Sequence, residues 1–166
     1  MRAKFLILIS ALVMALPAFG QSGYTKKVAI LETVDKKGAF EYEIKLMIRS
    51  LLTDTITSIP GYEGFDRVDV ASIMSEHEFQ RTGLVSADQI KRLGEMTGAD
   101  YILVAETVPL GDTQMLLVAK ILNVETGKID KNATVRTVAS YDDLETACNT
   151  LADKLFNIER GRTIIL

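Results

Sequence analysis

Residues 101–139 read YILVAETVPLGDTQMLLVAKILNVETGKIDKNATVRTVA, and the fold turns on them. Two turn signals cut the stretch into three runs. Pro109-Leu110-Gly111-Asp112-Thr113 separates Tyr101–Val108 from Gln114–Val124, and Glu125-Thr126-Gly127 separates that run from Lys128–Ala139. Apolar runs bounded by Gly- and Pro-bearing clusters predict three consecutive strands, the first two joined by a five-residue hairpin loop. In the third run Ile129, Ala133, Val135 and Ala139 alternate with Lys128, Asp130, Asn132, Thr134 and Arg136. Period-two alternation of this kind predicts one solvated face. Asp130, Lys131 and Asn132 would also blunt an exposed sheet edge.

Working towards the N-terminus, the pattern changes period. Ser86-Ala87-Asp88-Gln89 has the form of a capping box, and the helix it opens turns Ile90, Leu93 and Met96 inward. Gly98 closes that helix as a left-handed terminator, and Ala99 lets the next strand pack close beneath it. Before it, Asp69 suits an N-cap, and Val70, Ile73 and Met74 give a short helical face towards Phe79, broken at Thr82-Gly83. Tyr62–Val68 reads as a brief strand. Ile44, Met47, Ile48, Leu51, Thr55 and Ile59 recur at three- and four-residue steps, an amphipathic helix stopped by Pro60-Gly61. Lys26–Val34 reads as a strand covered on both faces, followed by the turn Asp35-Lys36-Lys37-Gly38. At the other end, Ser140 caps a last helix with Leu144, Ala147, Cys148, Leu151 and Leu155 on one face. The order is β-α-β-α-α-β-β-β-α. The fold class is α/β of the mixed α+β kind, a five-stranded mixed sheet with helices packed on it.

The first twenty residues stand apart. Arg2 and Lys4 precede an apolar run from Phe5 to Leu16, Pro17 breaks it, and Ala18 and Gly20 are small. This reads as a signal peptide over residues 1–20, cut before Gln21, with a single domain over 21–166. No Cys lies near the cut, so a lipid anchor is not expected. No later segment is long and apolar enough for a membrane-spanning helix.

Composition narrows the chemistry. The chain has 166 residues, one Cys, one His and a net charge of −3. A lone Cys excludes a disulfide framework, and two Cys/His residues in all exclude a structural zinc site. The acidic balance argues against a nucleic-acid partner. His77 lies between Glu76 and Glu78, but a second His four residues on is missing, since that position is Arg81. A solvated surface imidazole explains it. Cys148 lies on an apolar helix face and reads as a buried thiol. Asp142-Asp143 falls in a first helical turn, where negative charge complements the helix dipole. Arg67, closing a strand ahead of Glu76 and Glu78, reads as one half of an ion pair or, alternatively, as a docking residue. No catalytic, cofactor or metal site is expected, and the chain reads as a non-enzyme.

Several segments taken together carry a resemblance. Phe65-Asp66-Arg67-Val68-Asp69 leads through Ile73–Gln80 to Thr82-Gly83. Leu93-Gly94, Thr97-Gly98-Ala99-Asp100-Tyr101 and Ile121–Ile129, with its Thr126-Gly127 turn, follow in order. Over residues 27–156 the chain resembles the periplasmic domain of the CsgG family, the curli secretion channel subunits. It is also similar to the LpoB-type activators of penicillin-binding proteins. The resemblance implies a mixed α/β domain that works by binding and assembly. It departs from that pattern in lacking the acceptor Cys and the inserted hairpins, so a pore is not expected.

The function expected is a non-enzymatic periplasmic binding and assembly module, accessory to outer-membrane secretion or assembly at the inner face of that membrane. The alternative is an LpoB-like regulator docking on a penicillin-binding protein. Phe79, Gln80, Arg81 and Leu84, a mixture of apolar and polar groups between two short helices, are the candidate contact residues for an envelope partner or a second copy. The apolar tail Thr163–Leu166 is the other candidate.

Overall fold

Val28, Ala29 and Ile30 are wholly buried because β1 (Lys26–Ile30) lies inside a sheet covered on both faces. The computed structural model describes residues 23–66, 87–111 and 113–158. The leader, Arg67, the helix expected from Asp69, His77, the Phe79–Leu84 contact segment, Gly83, the Ser86 cap and the 163–166 tail lie outside those residues.

The sheet order is β2-β1-β3-β4-β5. β1 pairs in parallel with β2 (Tyr62–Asp66) and with β3 (Tyr101–Leu110). β3 pairs antiparallel with β4 (Gln114–Asn123), and β4 with β5 (Lys128–Val138). Three helices are described: α1 (Tyr42–Thr57), α2 (Ala87–Thr97) and α3 (Tyr141–Phe156). Ile48, Leu52 and Ile56 of α1 and Leu144, Leu151 and Leu155 of α3 share one core with Val28, Ile30, Leu103 and Leu117. Ile90 and Leu93 of α2 form a second core on the other face with Leu31, Ile102 and Leu122. This is the mixed five-stranded α+β layout expected from the sequence.

Local signals account for the helix ends. Ser140 caps α3, its hydroxyl accepting from the Asp143 amide at 3.4 Å and donating to the Asp143 carboxylate. Gly98 and Gly127 both take the left-handed φ of +66° that the helix stop and the strand turn require. Asn157 ends α3 in the same region at φ 55°.

Four expectations are corrected. β1 ends at Ile30, not Val34: the chain swings out at Glu32-Thr33 and returns only as an isolated bridge between Val34 and Glu106. The five-residue loop from Pro109 is shorter, because Pro109 and Leu110 stay in β3 opposite Met115 and Gln114. Proline fits there because the β1 side of β3 has no described partner beyond Thr107, so no ladder donor is lost. Ile129 was placed inward but is 52% exposed. The register slips between Ile121 and Leu122, leaving Asp130 as an extra residue, and the inside–outside alternation reverses there. Met96 is expected inward but is 46% exposed, since α2 buries Ile90, Leu93 and Gly94 instead.

Arg49 of α1 is only 4% exposed, and its Nε lies 2.9 Å from the Asp66 carboxylate at the end of β2. The N–H is not aimed at that oxygen, so the link is a charge contact more than an aligned hydrogen bond. β5 is a sheet edge, and Lys154 from α3 covers it by donating to the Thr134 carbonyl at 3.1 Å.

Candidate binding cleft at the strand-start end

Parallel strands begin at one end of a sheet, so the first residues of β1, β2 and β3 meet. Here those residues are Lys26, Tyr62 and Tyr101, with Tyr24 just ahead of β1. Tyr24, Lys26 and Tyr101 line a cleft of about 360 Å³, and Tyr62 lies beside Lys26 outside it. Ala99 and Asp100 ahead of β3, and Asn123, Val124 and Glu125 from the end of β4, line it as well.

Asp100 organises the site. One carboxylate oxygen accepts from the Tyr24 hydroxyl at 2.8 Å and the other from the Lys27 amide at 2.7 Å. Its own amide donates to the Lys27 carbonyl at 2.9 Å, and its carbonyl accepts from the Val124 amide at 3.0 Å. One residue thus ties β1 to β3 and to the end of β4. Tyr24 remains 73% exposed at the cleft, its hydroxyl tied to Asp100.

The Lys26 ammonium lies 5.4 Å from the centre of the Tyr101 ring and 5.9 Å from that of Tyr62. Both distances suit cation–π attraction. It also donates to the Tyr101 hydroxyl at 3.4 Å. Beneath, the Phe156 ring meets Tyr62 edge-on at 4.6 Å, linking the end of α3 to the same aromatic group.

Two groups at the cleft, Tyr24 and Lys26, titrate above their ordinary values. The Tyr24 phenol is raised above its ordinary value, first by its hydrogen bond to Asp100, then by loss of solvent and by the negative charge. Lys26 is raised too, chiefly by the Tyr101 hydrogen bond. Both shifts run upward, away from neutrality, so Tyr24 stays a phenol and Lys26 an ammonium at pH 7. Cys148 lies elsewhere, buried under α1 with its thiol towards the Ile48 carbonyl at 3.9 Å, and burial pushes it up to about 12. Among the described residues no group of three His, Cys, Asp or Glu side chains is placed to hold a metal ion.

Of the residues singled out in the sequence, Ala99 and Asp100 line this cleft, while Gly98, Thr126 and Gly127 shape the turns beside it. Tyr24, Lys26, Tyr62 and Tyr101 were missed. Their signal was a repeated one: a Tyr at or just before the start of each of the three strands that proved parallel.

No family model matches the chain, and no curated protein matches it. Solved structures do. The PelC dodecamer from Paraburkholderia phytofirmans is similar with a TM-score of 0.53 at 9% identity, over 80% of this chain and 87% of that one. The LpoB C-terminal domain from Salmonella enterica is similar with a TM-score of 0.51 at 11% identity, over 72% of this chain and 87% of that one. TolB from Acinetobacter baumannii gives 0.52 at 11% identity, over 80% of this chain but 28% of that one. At these identities the likeness is one of fold: the domain is LpoB-like in architecture. Nothing in these matches singles out the curli-channel branch of the resemblance.

Proposed function

We propose that this chain is a binding module of the bacterial cell envelope that acts by docking on a protein, with no turnover of its own. The observation that carries the reading is the LpoB-like fold, shared over 87% of the Salmonella domain. The cleft is consistent with it, because its rings and charged groups offer contact surface. No helix among the described residues is long and apolar enough to cross a membrane. The leader at residues 1–20 would deliver the domain to the periplasm, with a mature N-terminus at Gln21. Intact-mass measurement of protein from the periplasmic fraction tests this; a retained Met1 or an acylated species refutes it.

Within this class, a regulator docking on a peptidoglycan synthase is favoured over an accessory of outer-membrane secretion. The sequence resemblance supplies that role for the LpoB-type activators, and the fold likeness falls on the same branch. The second reading has its own support in the likeness to PelC, whose solved form is a dodecamer. Cross-linking in intact cells, capture of the tagged chain and identification of the bound protein separate the two. A penicillin-binding protein supports the first and a secretion component the second. Recovery of neither, at native abundance, refutes both.

A further inference from the structure

Tyr24 stands largely exposed at the cleft, and its hydroxyl is already committed, donating to Asp100 at 2.8 Å. What it has left to offer is the face of its ring. Among the described residues no cation lies over that face, whereas Lys26 overlies the rings of Tyr101 and Tyr62. A phenol that donates to a carboxylate gains electron density on its oxygen and ring. The ring face becomes more negative and a better seat for a cation.

The charges favour a cation too. The residues lining the cleft carry one ammonium, Lys26, against two carboxylates, Asp100 and Glu125. Lys26 acts on Asp100 from beyond ion-pair distance and is engaged by the Tyr101 hydroxyl and by two rings. Glu125 is exposed, and among the described residues no cation lies within ion-pair distance of its carboxylate. An anion would meet a net negative site whose one ammonium is taken. A cation meets a bare ring face and a free carboxylate. Size narrows the choice further. A helix is about 10–12 Å across with its side chains, so a cleft of about 360 Å³ holds less than one turn, and the occupant enters as a side chain. Arginine suits these features better than lysine. Its flat guanidinium stacks on a ring face and forks two N–H donors onto a carboxylate, while an ammonium is a strongly hydrated point charge.

We propose that, given the docking function above, the cleft receives an arginine side chain of the protein partner, its guanidinium stacked on Tyr24 and paired with Glu125. The partner is then an arginine-bearing surface. Asp100 is a positioning residue, since its carboxylate holds the Tyr24 ring through the hydroxyl.

The test titrates the full chain with a blocked glycine–arginine–glycine tripeptide and follows Tyr24, Asp100 and Glu125 by NMR. Saturable shifts are expected at those three residues, and the lysine counterpart of the peptide should bind several-fold more weakly. Glu125→Gln should weaken arginine binding about fivefold, the upper range for one exposed ion pair. Tyr24→Leu should weaken it about two- to fivefold, the span of an exposed cation–π contact. Both side chains are exposed, and unchanged shifts in the two cores check that the variants fold. Equal binding of the arginine and lysine peptides would reduce the site to a point charge and overturn the proposal. So would undiminished binding by either variant, an arginine peptide that shifts nothing, or saturation by a glutamate peptide or by glucose instead. The peptide readout involves no envelope partner, so its failure leaves the docking function standing. That function fails only if the cross-linked capture recovers no partner.

Discussion

Replacing Gly94 by Ala asks whether α2 sits as tightly on the cleft as the packing requires. A Cβ at position 94 would fall 2.0 Å from Val124 Cγ1, 2.7 Å from Cγ2 and 2.9 Å from Cβ. Carbon atoms rest at about 3.5–4.0 Å, so helix or turn must withdraw by roughly 1.5 Å. Alanine in a helix interior is favoured over glycine by about 1 kcal/mol. Against that, forcing a methyl group into a filled contact costs about 1–3 kcal/mol. Withdrawal also loosens Ile90 and Leu93 from Leu31, Ile102 and Leu122, where each buried side chain is worth about 1.5–3 kcal/mol. The expected net loss is about 2 kcal/mol. Equilibrium unfolding in urea measures it, with the slope unchanged if only the native state is affected. Val124→Ala removes both clashing methyl groups. The Gly94→Ala/Val124→Ala protein should therefore show a favourable coupling of about 1 kcal/mol or more in a double-mutant cycle. A neutral or stabilising Gly94→Ala, or strict additivity with Val124→Ala, would refute the packing argument.

Three further outcomes are expected. Cys148→Ala should destabilise the protein at pH 7 by leaving a small cavity, and the gap to the unchanged chain should shrink at alkaline pH. The thiol's value is about 12 folded against 9.0 unfolded, so its contribution is complete below pH 9 and is lost as pH rises towards 12. Unfolding curves at pH 7 and pH 11 check the sign; a gap that widens contradicts the burial argument. Asp100→Asn should lower the Tyr24 phenol towards its ordinary value, read as an earlier ionisation in a difference spectrum against Tyr24→Phe controls. An unmoved titration would mean that the 2.8 Å hydrogen bond does not persist in solution. Asp66→Asn leaves the buried Arg49 charge without its partner and should cost about 1–3 kcal/mol in thermal unfolding; Arg49→Met should cost less, because the remaining carboxylate is partly solvated. Equal losses would count against that asymmetry.

Periodicity is a local property, and what it governs was legible. The alternation in residues 128–139, the three- and four-residue steps of α1 and the apolar face of α3 follow from side-chain direction along a strand or helix. The caps were equally local: Ser140 and Gly98 act on backbone groups a few residues away. With strand count and element order in hand, the mixed sheet was determined. Two local readings failed where a neighbouring strand intervened. Ile129 faces outward because the pairing with β4 slips at Asp130, and Pro109 remains in a strand because its missing donor faces no partner.

The cleft was decided by the tertiary structure alone. Tyr24, Lys26, Tyr62, Asp100, Tyr101 and Glu125 are spread over a hundred residues of sequence, and no spacing relates them. They meet because β1 pairs in parallel with both β2 and β3, which brings three strand starts to one end, and because Asp100 spans β1 and β4 there. Sequence pattern tells each segment which side to bury. Which charges and rings then stand opposite one another depends on strand order and register, which are fixed only when the whole sheet closes around its two cores.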